Sequence, residues 1–148
     1  MEFKELIADF ATRHNVADLV ADNNAAALDI DGIIVIMVAD GEKVTLSADV
    51  GDAPAEGRAD FADLMLEASL QSDAFFAKAA ESETYIVVRR LSLRTIDDDA
   101  FDAAIESFVN QVEAWRRLLS DFRPIAKAAA AKAKEEGPSF GSNGFMQV

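Results

Sequence analysis

The chain has 148 residues, 51% of them hydrophobic, and a formal net charge of −13. That length suits one domain able to bury roughly two-thirds of its unfolded surface. The acidity argues against a nucleic-acid partner, which needs a basic face, and no apolar run approaches the ~20 residues of a membrane span. The absence of cysteine excludes a disulfide framework and thiol chemistry and fits a reducing compartment.

The opening stretch MEFKELIADF is amphipathic and acidic, unlike a signal peptide. Residues 2–14 read as a helix with Phe3, Leu6, Ile7 and Phe10 on one face, and Asn15 as its stop. Residues 16–24 are polar and irregular. Two Asp-Gly pairs follow, Asp31-Gly32 and Asp40-Gly41, each between apolar runs. Asp-Gly favours two-residue hairpins because both central positions need positive φ. The expectation is three antiparallel strands at about 25–30, 33–39 and 42–50.

The middle strand is apolar at every position from Ile33 to Val38, so both of its faces should be covered. Which alternating set is core, Ile33, Val35 and Met37 or Ile34, Ile36 and Val38, is left open by the pattern. The next strand alternates, with Val44, Leu46, Ala48 and Val50 one way and Thr45, Ser47 and Asp49 the other.

Gly51 to Gly57 reads as a loop, and about 58–71 as a helix showing Phe61, Leu64, Met65 and Ala68 on one side. Residues 74–80 suit a short strand and Thr84 to Leu93 a clearer, β-branched one. The last long helix, Asp98 to Phe122, carries Phe101, Ile105, Phe108, Val112, Trp115, Leu119 and Phe122 at alternating gaps of four and three. That spacing draws one stripe down a helix, which packs across a sheet, with Asp97 as its cap. The order is α-β-β-β-α-β-β-α, an α+β fold with an antiparallel sheet and helices on one face. A face left uncovered beside the apolar central strand would mark a partner site.

Charge divides the chain. Residues 1–122 hold 10 basic and 25 acidic side chains, a net of −15, whereas 123–148 hold 4 and 2, a net of +2. The expected organisation is therefore a domain over 1–122, then an alanine-lysine extension and a Gly/Ser tail with Phe140 and Phe145 over 123–148.

Catalytic constellations are missing. His14 is the single histidine, and one imidazole without cysteine or a second histidine builds no zinc site. Asp29-Ile30-Asp31-Gly32 opens like a calcium loop, but Ile33 and Asp40 occupy later ligand positions, so a hairpin explains it better. Asp97-Asp98-Asp99 suits a helix start. No glycine-rich phosphate loop or nucleophile elbow occurs. The expectation is no enzyme, no metal and no cofactor.

Several pieces in order resemble the type III secretion chaperones of the CesT/Tir kind. They are the opening helix, the Asp31-Gly32 turn into an apolar strand, and Leu46-Ser47-Ala48-Asp49-Val50-Gly51 followed by Pro54. After these come LMLEASL at 64–70, the strand YIVVRRLSL, and FDAAIESFVNQVEAWRRLL with Trp115-Arg116.

The resemblance implies a cytoplasmic homodimer without enzymatic activity that holds the N-terminal segment of one secreted effector in extended form, soluble and ready for export. It implies effector contacts at Phe3, Leu6, Ile7 and Phe10 of the first helix and at Ile34, Ile36, Val38, Val44 and Leu46 of the sheet. It places the dimer contact at Phe61, Leu64, Met65 and Leu66. The alternative is a same-fold interaction or regulatory protein not tied to type III secretion.

Overall fold

The structure, a computed structural model, describes residues 2–16 and 19–136, with the side chains of the last helix as far as Phe122. The elements are α1 (Phe3–His14), β1 (Leu19–Ala21), β2 (Ala25–Ile30), β3 (Ile33–Asp40), β4 (Lys43–Asp52), α2 (Arg58–Gln71), β5 (Ala74–Lys78), β6 (Thr84–Ser92) and α3 (Asp98–Glu136). All strand pairs are antiparallel, in the order β1-β2-β3-β4-β6-β5. The expected order therefore holds, with one addition. Leu19–Ala21, read as irregular, forms a short edge strand on β2, because a three-residue strand is too brief to show periodicity.

Turn chemistry sets the registers. Asp31 (φ 54) and Gly32 (φ 85) form the β2–β3 turn, and the Asp29 carboxylate accepts the Gly32 N–H at 2.9 Å. The second hairpin differs by one residue from the expected turn. Asp40 pairs with Lys43, so the two loop residues are Gly41 and Glu42, and Gly41 supplies the positive φ at the first central position. A third irregularity interrupts the β4–β6 pairing between Asp49 and Gly51.

One face of the sheet is buried beneath the helices. Leu28, Ile33, Val35, Met37, Val44, Leu46 and Val87 are fully or almost fully inaccessible. The α1 residues Phe3, Leu6, Ile7 and Phe10 join the α3 residues Phe101, Ile105, Phe108 and Val112 in the same core. Asp97 caps α3 by accepting the Ala100 N–H at 2.7 Å, as its position before the acidic run suggests. Asn15, in the left-handed region at φ 51, ends α1.

At the far end of α3, Phe61 of α2 stacks on Tyr85 and meets Trp115 and Phe122 edge-on. Helix α3 continues past Pro124 to Glu136, beyond the end expected at Phe122. The expected tail over 137–148 lies outside the described residues.

Candidate partner-binding surfaces

Strand alternation divides the apolar β3 run into two sets with different surroundings. Ile33, Val35 and Met37 point into the core. Ile34, Ile36 and Val38 point outward at 55%, 47% and 47% exposure. The register extends this outward face across neighbouring strands. One row runs Ala27, Ile36, Ser47, Val88, Phe75, and the next runs Ala25, Val38, Thr45, Arg90. The Arg90 guanidinium lies 5.1 Å from the Phe75 ring centroid and so borders the apolar strip with a cation.

A second exposed apolar feature lies on α2. Phe61 and Met65 face inward, while Leu64, Leu66 and Leu70 remain exposed, Leu66 at 68% and Leu70 at 88%. A helix that buries only two side chains has much of its surface available to a partner.

The third feature is a groove of about 710 Å³ bounded by the end of α1, the β2–β3 turn and the first half of α3. Beside it, Arg13 grips Asp102 through two hydrogen bonds, Nε to Oδ2 at 3.2 Å and Nη2 to Oδ1 at 2.5 Å. His14 Nε2 lies 3.0 Å from Asp102 Oδ2, and Arg13 also reaches Asp98 at 3.4 Å. The Arg13 hydrogen bond, aided by His14, holds the Asp102 carboxyl below the usual carboxylate range. This cluster ties α1 to α3.

Of the residues expected to touch an effector, only Ile34, Ile36 and Val38 present exposed surface. Phe3, Leu6, Ile7 and Phe10 fill the core against α3, and Val44 and Leu46 lie under the helices. Those six side chains are therefore core, because each lies on the inward side of its helix or strand. Of the expected dimer residues, Leu64 and Leu66 are exposed, whereas Phe61 and Met65 are buried within the chain. Val88, Phe75 and Leu70 were not singled out. The strand register would have shown the first two, and the 88% exposure of Leu70 follows from the turn of α2 it occupies.

Among the described residues, no cluster of three or more His, Asp or Glu side chains is arranged to hold a metal ion. No described helix is long and apolar enough to cross a membrane. The antiparallel sheet is thus backed by helices on one side and carries the exposed apolar side chains Ile34, Ile36 and Val38 on the other.

The Tir chaperone protein (CesT) family model matches residues 5–116, and the chain belongs to that family of type III secretion chaperones. Solved structures share its fold. A chain of the ExsC–ExsE complex superposes with a TM-score of 0.67 at 22% identity, covering 80% of this chain and 97% of that one. A chain of the HopA1–SchA chaperone–effector complex gives 0.65 at 15% identity, covering 78% and 93%. A chain of the complex of the Yersinia pestis type III secretion chaperone SycH with a stable fragment of YscM2 gives 0.59 at 15% identity, covering 75% and 97%. No curated protein matches the sequence.

Proposed function

We propose that the protein is a secretion chaperone that binds the N-terminal chaperone-binding segment of a secreted effector in extended form and keeps it soluble and competent for export. The family match over residues 5–116 carries this reading. The exposed Ile34, Ile36 and Val38, continued by Val88 and Phe75, supply a surface suited to it. An extended segment presents alternate side chains to such a surface and can add main-chain hydrogen bonds at a sheet edge.

In this reading the working unit is a cytoplasmic homodimer formed through the exposed leucines of α2, namely Leu64, Leu66 and Leu70. Residues 1–122 are the chaperone domain, and 123–148 are an extension of it. The protein needs no cofactor and performs no catalysis.

Secretion itself is the test. A strain lacking the chain, grown under conditions that induce export, should lose one protein from its culture supernatant while that protein's intracellular pool aggregates or is degraded. An unchanged set of secreted proteins would contradict the reading.

A further inference from the structure

On the outward side of the sheet, the middle of β4 presents only short side chains, Thr45 and Ser47. Taller neighbours flank them, Ile34, Ile36 and Val38 on β3 and Ile86 and Val88 on β6. Adjacent strands lie about 4.8 Å apart, so these two walls stand about 10 Å from each other. The result is an open trough along β4, with walls that are exposed or half-buried and no part of the core. Asp29 and Asp49 stand exposed toward one end of it.

The extension beyond Phe122 has a matching profile. Six of the residues from Arg123 to Glu136 are alanine, and α3 continues as a helix through them. At helical spacing Ile125, Ala126, Ala129, Ala130 and Ala133 fall on one face, bordered by Lys127, Lys132 and Lys134. A helix with ordinary side chains is about 10–12 Å across, so a face of alanines suits a trough about 10 Å wide. The lengths agree as well, since Ile125 to Ala133 rises about 12 Å and Ile34 to Val38 about 13 Å. Charge favours the pairing, because the 4 basic and 2 acidic residues beyond 122 give +2 against −15 for residues 1–122.

The helix cannot reach its own trough. It lies on the covered side of the sheet, and a proline such as Pro124 bends a helix without reversing it. Phe122 meets Phe61 of α2 at 5.0 Å, so the extension leaves the domain beside α2, whose leucines hold the partner copy in the proposed dimer. We propose that residues 123–136 of each copy lie in the β4 trough of the other, with the lysines toward Asp29 and Asp49. The inference rests on the homodimer of the chaperone reading and adds a second, reciprocal contact to it. Alanines bury little area apiece, so this contact forms only where α2 already holds the copies together. An effector segment must displace the extension to bind along Ile34, Ile36 and Val38.

The test exploits the absence of cysteine, which makes crosslinks between introduced thiols unambiguous. Full chains carrying Ser47→Cys and, with a different tag, Ala129→Cys are mixed, allowed to exchange, and treated with a short bis-maleimide. The product joining positions 47 and 129 of different chains should form about tenfold faster than one joining Ala129→Cys to Thr12→Cys, an exposed position on α1. Adding Leu66→Lys with Leu70→Lys to both chains should reduce the fast product to the control rate.

Equal rates for the two products, or a fast product that survives the leucine changes, would overturn the proposal. So would a link formed within one chain when both cysteines are placed on it, which would put the extension on its own sheet. Light scattering coupled to gel filtration is read separately. A wild-type dimer without the crosslink refutes the seating alone, and a wild-type monomer refutes the homodimer on which it rests.

Discussion

Ile36 lies directly opposite Ser47 on the uncovered face of the sheet, while one residue further along the same strands Met37 lies opposite Leu46 with no exposed surface. The two pairs differ in what their loss should do. Leu46→Ala leaves a cavity under the helices and should cost about 2–5 kcal/mol of stability. Ile36→Ser removes an already solvated side chain and should change stability by no more than about 0.5 kcal/mol. Denaturant unfolding followed through Trp115, which contacts Phe61 and Phe76, measures both. In the chaperone reading Ile36→Ser should weaken partner binding despite its normal stability.

Gly51 sits at the β4–β6 irregularity with φ +143, and a Cβ there would approach Leu119 Cδ2 to 3.0 Å. Gly51→Ala therefore combines backbone strain with crowding against α3. We expect a loss of about 1–3 kcal/mol, read as a lowered midpoint in thermal unfolding. Ala at Gly32 would meet no neighbour within 4 Å and should suffer only the strain of its φ of +85.

The Arg13–Asp102 pair predicts a pH dependence of definite sign. Asp102 titrates lower in the folded chain, mainly through the Arg13 hydrogen bond and with help from His14. A depressed folded pKa means that the stabilisation is fully present above the unfolded carboxyl value of about 4 and is lost as pH falls through the folded value. Asp102→Asn should cost about 1 kcal/mol at pH 7, since the pair is fork-like but a quarter exposed on the Asp side. The gap between wild type and variant should close as pH falls below about 4. A gap that widens below about pH 4 would contradict the assignment.

The α2 leucines carry the prediction on assembly. Leu66→Lys with Leu70→Lys places two charges where the chain itself buries almost nothing, so the fold should survive. Light scattering coupled to gel filtration should show a dimer for the wild type and a monomer for the variant. A wild-type monomer, or a variant dimer, would exclude this face as the contact.

Much of the fold was legible because period and punctuation agree. The stripe from Phe101 to Phe122 is buried as its spacing implies, apart from the half-buried Trp115, and Asn15 and Asp97 mark helix ends. The turn at Asp40-Gly41 slid by one because either Asp-Gly or Gly-Glu can occupy a two-residue loop, and only strand pairing decides between them.

The surface was harder to read. An apolar side chain looks the same in sequence whether a helix covers it or not, so Phe3, Leu6, Ile7 and Phe10 were indistinguishable from a binding stripe. Val44 and Leu46 were recoverable, however. A two-residue loop sets even-numbered β4 residues opposite odd-numbered β3 residues, so Val44 and Leu46 share a face with Met37 and not with Ile36. The groove is lined by residues of α1, the β2–β3 turn and α3, and no local pattern announces that these segments meet.

The most direct test of the chaperone reading is affinity capture with the tagged full chain from its native cells, followed by limited proteolysis of the captured complex and mass spectrometry. The account predicts one dominant partner, with protection confined to a short stretch near that partner's N-terminus and lost in the Ile36→Ser variant. Capture of no partner, of many unrelated proteins, or of one whose protected region is a folded globular domain would contradict it.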